Sequence, residues 1–235
     1  MSRRIRVMDL AYRAGHLVNL ILFISLIVSG LMLFASDATS WIALAIGQPL
    51  STLEGVDADP VVVGIQWART WHRVVGLAWG AFVVVYLVYY LSFNRKFHIL
   101  KAIARSLGEQ AREAAALVKH YTLGKPIPWE VKARMGRYNV LTGWLFILLL
   151  ASTILLSISG VALLYKEQLG LSLSTTRLMY ALHDIGFALA LGFLLLHTYA
   201  TLHPSNRPLL RAMFTSGEVP EDWAAEHLGV RGGEE

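Results

Sequence analysis

Long apolar runs alternate along the chain with short, strongly polar connectors. Four runs, at about 16–35, 67–92, 140–164 and 178–200, each approach the ~20 residues that a helix needs to cross a bilayer. The pattern predicts an all-α integral membrane protein. It is expected to form a single domain over residues 1–235, a four-helix bundle with a loop at 93–138 and a tail at 203–235. The opening "MSRRIR" has the basic character of a signal peptide. The apolar stretch behind it is too long for an ordinary signal core and no small-residue cleavage site closes it, so the first run is expected to stay as a span.

Charge orients the bundle. Of 21 Lys and Arg, four precede the first span, ten lie between the second and third, and three follow the fourth. By the positive-inside rule both termini and the middle loop are expected to be cytoplasmic. The stretch Ser36 to Pro60 has four acidic residues and no Lys or Arg, and is expected to be the outer loop. Within the middle loop, "ILKAIARSLGEQAREAAALVKH" sets Leu100, Ile103, Leu107 and Ala111 on one helical face with basic residues opposite. That pattern predicts an amphipathic helix on the anionic inner surface of the lipid bilayer, with a solvated basic connector as the alternative.

The chain contains no cysteine. This excludes disulfides, cysteine-ligated iron–sulfur clusters and c-type haem attachment, and leaves imidazole nitrogen as the ligand for any transition metal. Eight histidines are present, and four of them, His16, His72, His183 and His197, lie in or at the edge of spans. His98, His120, His203 and His227 lie in polar segments, where solvated roles are expected.

Depth groups the four span histidines. His16 and His197 fall near the cytoplasmic side, and His72 and His183 near the outer side. His183 and His197 are 14 residues apart, nearly four helical turns, so they share a helix face about 21 Å apart. Ionisable groups inside spans are costly and usually functional. Facing imidazoles are the common grip of a helical bundle on a b-type haem iron. Gly15, Gly76 and Gly186 beside these histidines are expected to leave room for a flat macrocycle, and Arg13, Arg69 and Arg73 to reach haem propionates or lipid headgroups. Two other roles remain open for the histidines: hydrogen bonding between helices, and, with Asp184, a proton relay in a haem-free transporter.

Five segments extend the reading: "YRAGHLVNLILFISLIVSGLMLF", "RTWHRVVG", "GRYN", "LHDIG" with a second histidine 14 residues on, and "RAMFTSGEVPEDWAAEH". With them the chain resembles the dihaem cytochrome b (gamma) subunits of respiratory formate dehydrogenases and their relatives in nickel–iron hydrogenases and thiosulfate reductases. The resemblance implies two haem b groups, an outer one held by His72 and His183 and an inner one by His16 and His197. It further implies a multi-pass protein of the bacterial inner membrane, partnered by an iron–sulfur subunit and a catalytic subunit, with no nucleic acid partner. In such complexes substrate is oxidised on another chain, and this subunit passes the electrons inward to quinone. Asn139 is the position that matches the family's quinone contact. The glycine and glutamine that follow it in the family are Leu141 and Thr142 here, which points to a different quinone or a different partner enzyme. A stand-alone reductase similar to cytochrome b561 is the alternative with the same haem chemistry.

Overall fold

The computed structural model describes residues 3–34, 37–55, 57–93, 98–135 and 138–228. Arg95, Lys96, Arg137 and Arg231, which contribute to the charge asymmetry, fall outside these residues, as does the end of the tail from 229. Among the described residues, four helices are long and apolar enough to span a membrane. They are α1 (Leu10–Leu33), α3 (Pro60–Phe93), α7 (Val140–Leu164) and α8 (Leu173–Leu202). The protein is thus an all-α membrane helical bundle.

Each span begins where local chemistry satisfies the free N–H groups of a first turn. Asp9 accepts from Tyr12 N–H at 2.6 Å and Ser172 from Thr175 N–H at 3.2 Å. The carboxylate of Asp59 accepts from Val61 N–H at 2.8 Å, with Pro60 opening α3, a position where a missing N–H costs nothing. That start lies ahead of the apolar run at 67. At 1.5 Å per residue α3 is about 51 Å long, well beyond the ~30 Å of a hydrocarbon core.

The stretch expected as a plain outer loop contains a further helix, α2 (Ser40–Glu54), ending at Gly55 with φ 64°. Its glycine and proline content reads as loop, but the small residues serve a close crossing. A Cβ on Gly47 would overlap the Pro60 carbonyl, and one on Gly64 would overlap the Ala43 carbonyl. Met32, Ala43 and Ala68 form the buried contact of α1, α2 and α3 at this acidic end of the bundle.

The opposite, basic end has two layers. The middle loop forms α4 (His98–Ile103), α5 (Leu107–Leu123) and α6 (Trp129–Lys132) rather than one amphipathic helix. Ser106 causes the break: it caps α5 in a reciprocal box with Glu109. This resets the helical phase, so Leu107 is 83% exposed and the inward face is Gln110, Glu113, Ala114 and Leu117. The polar pair faces inward because it serves α7. Glu113 accepts from Val140 N–H at 2.8 Å and from Arg105 at 2.6 Å, while Gln110 accepts from the Trp144 indole at 2.9 Å.

The tail folds as a 3-10 turn (Pro204–Asn206), α9 (Arg207–Phe214), β2 (Glu218–Pro220) and α10 (Glu221–His227). The N-terminal strand β1 (Arg4–Arg6) pairs antiparallel with β2, Ile5 opposite Val219. Ala212, Val219 and Ala224 form the core of this layer, with Ile5 and Val7 packed on it. Arg13, expected to reach a haem propionate or a lipid headgroup, is hydrogen-bonded within this layer. Its guanidinium donates to the Met213 carbonyl at 3.1 Å and to the Thr215 carbonyl.

Within the bundle α1 packs along α3 and α7 along α8, while direct contact between the two pairs is sparse. The buried cluster Phe23, Ile27, Trp79 and Ala190 lies across that seam. Ala190 is midway between His183 and His197, so the cluster separates the two depths at which histidines occur.

Candidate functional site

The four span histidines meet as two pairs across the seam, in the combination that depth predicts. His72 on α3 faces His183 on α8 with ring centroids 6.2 Å apart and planes at 72°. His16 on α1 faces His197 on α8, also at 6.2 Å, with planes at 43°. Two imidazoles on opposite sides of one metal ion, each bonded at ~2 Å, have centroids about 6.3 Å apart. Both separations therefore suit a single iron between the rings.

The acidic-end pair is held by serines. Ser29 Oγ lies 2.9 Å from His72 Nδ1, and Ser159 Oγ lies 2.9 Å from His183 Nδ1. At the basic-end pair, Phe193 stacks on His197 at 5.3 Å with planes 13° apart. His16 Nδ1 is buried and has no partner among the described residues. A buried nitrogen without a partner is uncommon.

No cluster of three or more His, Cys, Asp or Glu occurs among the described residues. Two nitrogens per site suffice when a porphyrin supplies the other four ligands. Gly76, one turn beyond His72, meets only Leu26, at 3.9 Å, which leaves the flat surface expected of it. Gly15 and Gly186 do not. A Cβ at Gly15 would strike Tyr86, and one at Gly186 would come within 3.0 Å of Leu156, so these two are helix-packing positions.

Asn139 is the N-cap of α7, its Oδ1 accepting from Thr142 N–H at 2.9 Å and from Thr142 Oγ1 at 3.0 Å. Arg69 and Arg73 are exposed on α3, and Asp184 is exposed on α8. Of the histidines read as solvated, His120 and His203 meet at the basic end with centroids 5.8 Å apart. His203 also meets the Tyr121 ring edge-on at 4.8 Å. Burial, and then the neighbouring His120, lower the pKa of His203 from its ordinary value. His227 stacks on Trp223.

Ser29 and Ser159 carry no signal as single residues, because serine is common in membrane helices. The trace that was available is the Ser-Gly dipeptide, present once in α1 as Ser29-Gly30 and once in α7 as Ser159-Gly160.

Residues 7–216 match a family described as prokaryotic cytochrome b561. The chain belongs to the prokaryotic cytochrome b561 family. No curated protein matches it. As a member of this family the protein is a membrane electron-transfer protein that uses haem b. When bound, haem b supplies a reversible one-electron centre. The residues that would hold it are the four span histidines, whose rings face each other in pairs.

Proposed function

We propose that this cytochrome carries two haems, one between His72 and His183 and one between His16 and His197, and passes electrons between them across the membrane. The observation that carries the proposal is the repeated 6.2 Å imidazole separation, with both ligands on α8 separated by 14 residues. In this reading α2 faces the outside and the basic end faces the cytoplasm, in the bacterial inner membrane. The electron donor in this reading is an iron–sulfur subunit of a respiratory dehydrogenase, with formate dehydrogenase the partner that the sequence motifs resemble. A separate catalytic subunit oxidises the substrate, and the acceptor is quinone at the basic end. The folded tail and the α4–α6 layer support a subunit that docks in a larger complex, since a free-standing reductase has little need of them.

The quinone contact is assigned to the amide NH2 of Asn139. Its oxygen is already engaged as the cap, and a carboxamide can serve both partners at once. Trp144, 44% exposed and fixed at its indole N–H by Gln110, is placed to cover a ring.

The family match favours a second reading, the stand-alone reductase, because its description is that of a cytochrome b561. In that case the haems and the direction of transfer are unchanged and the partner complex is absent. Purification from the native membrane in mild detergent tests both. A reduced-minus-oxidised spectrum with two b-type components supports the dihaem site, and one without haem overturns it. Mass spectrometry of the same sample then identifies a dehydrogenase or finds the cytochrome alone.

A further inference from the structure

The acidic-end histidines are each seated on a Ser-Gly pair from a helix that carries no acidic-end ligand. Ser29-Gly30 on α1 meets His72, and Ser159-Gly160 on α7 meets His183. Both serines are almost fully buried, at 1% and 0% exposure. Each hydroxyl already donates its proton one turn back along its own helix, Ser29 to the Ser25 carbonyl at 2.8 Å and Ser159 to the Leu155 carbonyl at 2.5 Å. A hydroxyl that has used its proton can only accept from a third group. The Nδ1 of each histidine is therefore the donor, and the lone pair is left on Nε2.

The glycines leave room for the rings. A Cβ at Gly30 would lie 3.5 Å from His72 Cε1, and one at Gly160 only 3.3 Å from His183 Cε1. The imidazole edges thus face the glycine positions of α1 and α7, where a side chain would crowd them. At the other pair, His16 Nδ1 is buried without a partner among the described residues.

An acceptor on Nδ1–H draws the imidazole toward its anion and makes Nε2 a stronger donor to a metal. Stronger donation favours ferric over ferrous iron and lowers the reduction potential. We propose that Ser29 and Ser159 are positioning residues that hold His72 and His183 in the Nδ1–H tautomer and lower the potential of the haem at the acidic end below that of the haem at the basic end. An electron arriving at the acidic end then moves downhill toward the His16–His197 pair. The inference rests on the dihaem reading.

Potentiometric titration of the purified full-length protein, followed optically and by electron paramagnetic resonance, tests it on Ser29→Ala, Ser159→Ala and the double variant. Haem content is measured first. A wild-type protein lacking the His72–His183 haem would mean the failure of the dihaem reading itself. With both haems present, each single variant should raise the potential of one component, the same component in both, and the double variant should raise it further. The low-spin signal of that component should shift while the other stays fixed. Unchanged potentials with both haems retained, or equal shifts in both haems, overturn the serine assignment alone. If Ser29→Ala loses the haem, Ser29→Thr, which keeps the hydroxyl, should restore it at the wild-type potential. Failure to restore it also overturns the assignment.

Discussion

The carboxylate of Glu113 accepts the backbone N–H of Val140, the first residue of α7, at 2.8 Å. A side chain of α5 thereby satisfies a free donor at the start of a membrane-spanning helix, where the helix dipole favours negative charge. Its second oxygen pairs with Arg105, and the group is 3% exposed. Glu113→Ala would leave Arg105 half-enclosed without its partner and should cost about 2–4 kcal/mol. Glu113→Gln keeps an acceptor for Val140 and should cost less. Thermal melts, together with protease cutting between residues 104 and 123, would detect release of the α4–α5 layer.

Single substitution of the four span histidines should sort them into two groups. His72→Ala and His183→Ala are expected to remove the same spectral component, leaving roughly half of the haem absorbance. His16→Ala and His197→Ala are expected to remove the other. Full haem content in any one of these variants, with the protein still inserted in the membrane, takes that residue out of the ligand set.

At Asn139 the cap and the quinone contact can be separated, because they use different atoms. Asn139→Asp preserves the acceptor for Thr142 and removes the NH2 donor. It should leave thermal stability near wild type and slow reoxidation of the haems by quinone. Asn139→Ala should slow reoxidation as well and also lose the cap, at a cost of about 1 kcal/mol. Normal reoxidation in the Asp variant places quinone elsewhere.

Arg13 ties the start of α1 to the tail through the carbonyls of Met213 and Thr215. Removing two charge-assisted hydrogen bonds in Arg13→Ala should cost about 1–3 kcal/mol and loosen the tail. Limited proteolysis should then cut within residues 203–228 well before it cuts the bundle. Haem content is expected to stay unchanged, which distinguishes this role from pairing with a propionate.

His203 should make the basic end sensitive to acid. Its pKa in the folded protein is lowered by burial and by His120, whereas the unfolded chain titrates near 6.5. The unfolded chain thus takes up the proton first. Stability should be constant above about pH 7 and fall as pH drops through about 6.5. The effect is small, because the ring is partly in solvent. Melting midpoints at about pH 7.5 and about 5.5 should diverge in the wild type, and less so in His203→Gln.

The spans were legible because a bilayer demands a run of fixed length, and the histidine pairing because depth along a helix is a single coordinate read directly from residue number. What escaped depends on where other segments come to lie. Gly47 and Gly64 look like loop residues until α2 is laid against α3. Gln110 and Glu113 look like the wet face of an amphipathic helix because their partners, Val140 and Trp144, lie 27 and 34 residues away. Arg13 was read against its nearest predicted cofactor, but its acceptors are about two hundred residues further along. The serines behind His72 and His183 depend on the rotation of α1 and α7 about their axes, which neither composition nor spacing fixes.

The pairing of β1 with β2 determines the order in which the molecule can be completed. Arg4 donates to the Glu218 carbonyl across 214 positions of chain, so β1 has no strand partner until all four spans and β2 have been made. Closing so long a loop is entropically unfavourable, and assembly of the four spans first brings the ends together. The strand pair therefore acts as a latch on a finished bundle. A chain that stalls after α8 would carry all four span histidines and still leave β1 unpaired.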